Sequence, residues 1–192
     1  MRTLALALTL VLSLSISVPA RAAVDETNAH RLNALGLFLG TGSGYDLGGT
    51  ATRLHGIIML TRMLGEEDAA LAFDGSCPFS DVAAGKPSAY TGYAFAQGYT
   101  TGVSAITFNP GGALSFKHYV TFLLRALGYD DGAGDFTFAT SLDKAVEIGM
   151  MTRASAERIL QKQYALYRGD LVDLSVSALT TPLADGSATL AE

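Results

Sequence analysis

The sequence predicts an all-α protein in which three helix–loop–helix repeats form one pseudo-threefold helical bundle. Three observations predict it. Apolar residues recur at helical spacing in separate short runs. The same order is written three times: an apolar helix closed by glycine, a loop, then a second helix opening on Thr52-Arg53, Ser115-Phe116 or Tyr167-Arg168. Two helices cannot bury their apolar faces alone, whereas three such pairs stacked on one another can.

The first repeat, residues 23–66, opens with a polar leader and a helix expected over 30–39, with Leu32, Leu35 and Phe38 inward. Gly40 to Gly44 reads as a loop, since so much glycine destabilises a helix. Thr52 is a helix cap whose hydroxyl accepts from first-turn amides. Leu54, Ile57, Ile58, Leu60 and Leu64 then give the next helix one broad apolar face, and Gly65 suits the left-handed position past its end. A short helical extension is expected over 66–72, with a linker at 73–78.

The second repeat, residues 67–129, is the fullest copy. Phe79-Ser80-Asp81-Val82 precedes a helix expected over 88–97, with Tyr90, Tyr93 and Ala94 inward. Gly98 closes it, and the loop 100–112 holds Phe108-Asn109-Pro110. Asp81 reads as a cap or turn-former. Ser115 caps the second helix, whose inward face is Phe116, Tyr119, Val120, Leu123, Leu124 and Leu127, and Gly128 ends it. In the third repeat, 130–179, Leu142, Ala145, Val146 and Ile148 mark the first helix and Leu171, Leu174 and Leu179 the second. The insert between them has helical character over 156–163. Residues 180–192 are small and polar and are expected to fray as a flexible tail.

Residues 1–22 read as a secretory signal peptide. A basic start, Met1-Arg2, leads into an uncharged apolar run of 15 residues from Leu4 to Val18, followed by Ala20-Arg21-Ala22. The run is short for a membrane span, which needs about 20 residues. Cleavage would leave an exported chain with no stable membrane insertion. Losing Arg2 and Arg21 takes the formal charge from −5 to −7. So acidic a chain is a poor match for nucleic acid. The single cysteine, Cys77, excludes an internal disulfide and reads as a small, partly buried residue. His30, His55 and His118 lack the short spacing of metal-binding pairs, and no catalytic constellation stands out. Neither an enzyme nor a cofactor is expected.

The ordered set in the second repeat (Phe79-x-Asp81-Val82, a helix, Gly98, Gly102, Phe108-x-Pro110 and Ser115) resembles the S-layer homology motif. The first repeat echoes it at Gly36, Gly40 and Thr52-Arg53. The third echoes it at Asp135-Phe136, Gly149 and Arg168-Gly169-Asp170. The resemblance spans about residues 29–179. It implies a non-catalytic, surface-located module that attaches non-covalently to anionic, often pyruvylated, secondary polysaccharide linked to peptidoglycan. The motif's binding arginine opens the second helix, which implies Arg53 and Arg168 as polysaccharide-binding residues, with Thr52, Ser115, Lys117, Gly40 and Gly102 completing the candidate site. An arginine there sits beside free amides and the positive end of the helix dipole, and its fork matches a carboxylate. The chain departs from the motif in three ways. Phe116 replaces the second arginine, with Lys117 turned about 100° around the helix. There is no tryptophan, and His55 and His118 stand at the motif's acid position. These departures define the alternative, a structural or interaction protein of the cell surface whose polymer sites have decayed.

Overall fold

The computed structural model describes residues 25–162 and 165–191; the expected signal peptide lies outside them. Among the described residues the chain forms helices and isolated bridges but no strand. The helices are α1 (Thr27–Ala34), α2 (Arg53–Met63), α3 (Glu67–Leu71), α4 (Lys86–Ala96), α5 (Phe116–Ala126), α6 (Ser141–Glu147), α7 (Arg153–Lys162) and α8 (Arg168–Leu179).

The three helices that open on the repeated capping position, α2, α5 and α8, pack on one another pairwise. Their starts are tied by a closed ring of backbone hydrogen bonds. The Ala51 amide donates to the Leu166 carbonyl at 2.9 Å, Leu166 donates to Leu114 at 2.7 Å, and Leu114 donates to Ala51 at 2.9 Å. All three residues are fully buried. Each lies one position before a capping residue, so the ring accounts for amides and carbonyls that would otherwise be orphaned in the core. Gly56 allows close approach here, since a Cβ at this position would fall 2.8 Å from the Leu114 side chain.

The remaining helices follow a cyclic pattern. α4 packs on α2, α6 on α5, and α1 on α8. Each long helix is therefore covered by the first helix of the following repeat rather than its own. α3 bridges α2 to α4, and α7 leans on α6. Tyr119, Leu123, Leu124, Ile57, Leu60 and Leu171 fill the shared centre. Within it the Tyr119 hydroxyl donates to Ser175 Oγ at 2.6 Å, and Ser175 donates to the Leu171 carbonyl at 2.7 Å, linking α5 to α8 without a stranded polar atom.

Three expectations need correction. The first helix ends at Ala34, not Leu39. Gly36 takes a left-handed φ of +74°, and the amides of Leu37 and Phe38 turn back to the Leu32 carbonyl. Leu35 is consequently 68% exposed, while Ala29 and Leu32 form the buried face. α4 starts earlier than expected, at Lys86, with Pro87 in its first turn. The tail does not fray over its described length. Ala184 donates to the Leu127 carbonyl, Ala191 donates to Leu179, and Leu183 and Leu190 pack against the core.

Candidate functional site

The caps place the sequence-predicted residues. Thr52 and Ser115 are extended, and each side-chain oxygen accepts from the amide three residues on, His55 and His118, at 3.2 Å. Tyr167 starts α8 by a different route, its amide donating to Asp170 Oδ2 at 2.9 Å. The residue after each cap therefore points into the seam between neighbouring repeats, and a cleft lies along each seam.

In the first cleft, of about 310 Å³, Arg53 from α2 meets Gly102 and Val103 of the second repeat's loop and His118, Phe122 and Arg125 of α5. Arg53 is only 2% exposed. Its Nε donates to the Phe108 carbonyl at 2.7 Å, and its guanidinium carbon lies 4.7 Å and 5.6 Å from the Phe108 and Phe122 ring centres. Nη1 and Nη2 are closed off from solvent and have no hydrogen-bond partner. No carboxylate among the described residues makes an ion pair with it. Burial pulls the guanidinium pKa down, and the Asp81 carboxylate works against that pull.

Asp81 also shapes the wall. Its two oxygens accept from the amides of Phe108 at 2.8 Å and Asn109 at 2.7 Å. The Phe108 amide bond holds its carboxyl below the usual range against the cost of desolvation, with the Asn109 bond adding to the effect. The carboxylate thus fixes the loop whose carbonyl receives Arg53. Asp81 is a turn-former, as its place in the sequence indicated. Gly102 is required by the same loop. It has φ +79°, and a Cβ would come 2.6 Å from the Ser104 carbonyl oxygen.

The second cleft, of about 180 Å³, repeats the arrangement. Arg168 from α8 meets Gly40 and Phe38 of the first repeat and His55, Met59 and Arg62 of α2. Arg168 is 9% exposed, donates from Nε to the Tyr45 carbonyl at 3.1 Å, and sits 5.0 Å from the Phe38 ring centre. Gly40 plays the role of Gly102, with φ +72° and the Gly44 carbonyl oxygen 2.8 Å from where a Cβ would fall. The deeper arginines of both clefts are already paired. Arg62 donates to Glu67 at 2.8 Å, and Arg125 grips Asp131 through two bonds of 2.9 and 2.7 Å.

The third cleft, of about 640 Å³, has the same architecture with different chemistry. Phe116 stands where the other clefts have arginine, Asp170 where they have histidine, and Ser177 where they have the deeper arginine. Arg158 of α7 lines its outer part. Lys117 does not line any of these three clefts; its Nζ donates to the Ala139 carbonyl at 3.1 Å.

The structure therefore brings Arg53 together with Gly102, and Arg168 with Gly40. Thr52 caps the helix that Arg53 opens, Ser115 caps α5, and Lys117 lies elsewhere. Sequence reasoning missed that each cleft joins the helix-start residue of one repeat to the long helix of the next. Local spacing carries no signal for that pairing. It also missed the aromatic walls Phe38, Phe108 and Phe122. Cys77 is half-buried, its Sγ 3.3 Å from Thr91 Oγ1. Among the described residues no cluster of histidine, cysteine and carboxylates is arranged to hold a metal ion, and no helix is long and apolar enough to cross a membrane.

The chain is similar to a cell wall protein. Over 167 residues it is 28% identical to the middle cell wall protein of Brevibacillus brevis, a match covering 86% of this chain. The chain spans about 15% of that relative's length. No family model matches.

Proposed function

We propose that the protein is a cell-wall-associated, non-catalytic module of the S-layer homology type. In this reading it is exported and attaches non-covalently to an anionic, pyruvylated wall polysaccharide. Arg53 and Arg168 receive the polymer's carboxylates in two clefts between repeats. The observation that carries this reading is the state of Arg53: a charge 2% exposed, with two nitrogens unpartnered and no ion-pair carboxylate among the described residues. Burying an unpaired charge costs several kcal/mol, and a ligand carboxylate supplies the missing partner in two charge-assisted bonds. The helix start beside it contributes the positive end of a dipole. Because Nη1 and Nη2 are sealed from solvent, seating the carboxylate requires the 100–103 loop or Phe122 to move aside.

The distant similarity to a cell wall protein supports the location. The acidic net charge does not oppose it, because screening over about 8 Å at physiological salt leaves the local charge of the cleft in control. Binding is expected to weaken as salt rises. The reading of a surface protein with decayed polymer sites draws on the third cleft, where Phe116 and Asp170 suit no anion.

A pelleting assay separates the two readings. Mature protein is mixed with wall sacculi before and after extraction of the secondary polymer. Co-sedimentation that disappears on extraction, and in Arg53→Met plus Arg168→Met, is the expected result. Equal sedimentation in every arm defeats the anchor reading.

A further inference from the structure

Across the three clefts the residue at the third helix position changes together with the residue facing it from the neighbouring repeat. His118 faces Arg53, His55 faces Arg168, and Asp170 accompanies Phe116. The two clefts with a buried arginine carry an imidazole at that position, and the cleft without one carries a carboxylate. The imidazoles thus add no negative charge to the two clefts that hold an arginine.

The two imidazoles are held differently. His55 Nδ1 accepts the Thr52 amide at 3.2 Å, completing a capping box in which histidine replaces the usual acid. A proton on Nδ1 would face that N–H and break the cap, so His55 is fixed as the neutral Nε2–H form. His118 Nδ1 instead lies 2.7 Å from Ser115 Oγ. A hydroxyl both donates and accepts, so this contact survives whether Nδ1 is bare or protonated. No described residue bonds Nε2 of His118, and neither ring nitrogen is a sealed, unpartnered atom. The ring packs against Phe138, with centres 4.8 Å apart. The other charged groups on this cleft are Arg53 from α2 and Arg125 from α5, the latter neutralised by Asp131. Asp81 stands behind Arg53, and no ionisable side chain of α6 or α8 lines the cleft.

We infer that His118 is a second ligand-contacting residue of the Arg53 cleft, binding the carboxylate as an imidazolium formed when the anion seats. The inference rests on the anion-binding reading above. In the ligand-free protein the ring is neutral: burial first, then the Arg53 charge, holds its pKa down to about 4. An anion between the two side chains reverses the second influence and favours the charged ring. The proton comes from solvent and is carried on Nδ1 or Nε2. Binding in this cleft should therefore tighten as pH falls while the ligand's carboxyl, ionised above about pH 4, keeps its charge.

The test isolates one cleft. In an Arg168→Met background, affinity for a 4,6-O-pyruvylated hexose is measured by calorimetry at pH 5.5 and 7.5, in buffers of different ionisation enthalpy. The expected result is affinity about tenfold higher at pH 5.5 with net proton uptake, the size set by a neighbouring opposite charge. Adding His118→Gln, which keeps a side-chain acceptor for the cap, should abolish both. A pH gain that persists in His118→Gln, or affinity without proton uptake, overturns the inference while the arginine reading stands. Absence of binding at both pH values in wild type overturns the arginine reading with it. Should His118→Gln fail to fold, the His118 Cε1–H resonance of the wild type gives the same answer. Its titration moves upward on adding the sugar if the inference holds, and an unmoved titration overturns it.

Discussion

Arg53 brings a positive charge into a position 2% exposed, between two phenylalanine rings, with one hydrogen bond from Nε and none from Nη1 or Nη2. Such a residue is a poor choice for stability. Replacing a buried charge by an apolar side chain of similar volume is often neutral or stabilising by about 1–4 kcal/mol. Arg53→Met is accordingly expected to leave the denaturant midpoint unchanged or raise it, while removing binding in its cleft. A clear fall in the midpoint, with binding retained, would mark Arg53 as structural. At this scale much was legible. Thr52 and Ser115 cap as their residue types dictate, and Arg53 and Arg168 stood out by position. Their burial was not legible, because Phe108 and Phe122 reach Arg53 from a different repeat, 55 residues along the chain in the case of Phe108.

The loops set the walls of the clefts. Gly102 has φ +79°, and the Ser104 and Thr107 carbonyl oxygens lie 2.6 and 2.7 Å from where a Cβ would fall. Alanine there meets that backbone and also the buried Phe79 ring, 2.5 Å away. Gly102→Ala is expected to cost more than about 1 kcal/mol and to lower affinity in the Arg53 cleft with little effect on the Arg168 cleft, as resolved by single-cleft titrations. Tyrosines on glutamates fasten α4 and the loop after it to α3 and its cap. Tyr90 donates to Glu67, which also takes Arg62, and Tyr99 donates to both oxygens of Glu66 at 3.1 Å. Burial first, then Glu67, pushes the Tyr90 hydroxyl up to about 12, and burial with Glu66 drives Tyr99 in the same direction. A raised folded pKa stabilises fully below the unfolded value of about 10 and is lost as pH rises through the folded value. Stability measured by denaturant titration should therefore fall between about pH 10 and 12. It should fall less in Tyr90→Phe, which has no hydroxyl to ionise. The glycine-closed helix ends were legible in sequence. The early end of α1 was missed because the spacing of Leu32, Leu35 and Phe38 continues past Gly36, where the backbone does not.

At the scale of the molecule, the ring of bonds through Ala51, Leu114 and Leu166 and the pairing of each long helix with the next repeat's first helix put every cleft between two repeats. Helical periodicity was enough to predict an all-α chain. The cyclic pairing was not readable, since it joins segments as near as α5 and α6 and as far apart as α1 and α8, and no local pattern encodes which neighbour a helix chooses. That pairing explains why the clefts diverge. Each draws its helix-start residue from one repeat and its third-position residue from the next, so Phe116 and Asp170 alter one cleft and leave Arg53–His118 and Arg168–His55 whole. In the proposed function, two of the three clefts receive a ligand carboxylate. The stoichiometry of a 4,6-O-pyruvylated hexose, measured by isothermal titration calorimetry at pH 6, tests it most directly. Two sites per chain are expected in the wild type, one in Arg53→Met, one in Arg168→Met and none in the double variant. A stoichiometry unchanged by these substitutions, or a third site that survives both, would contradict it.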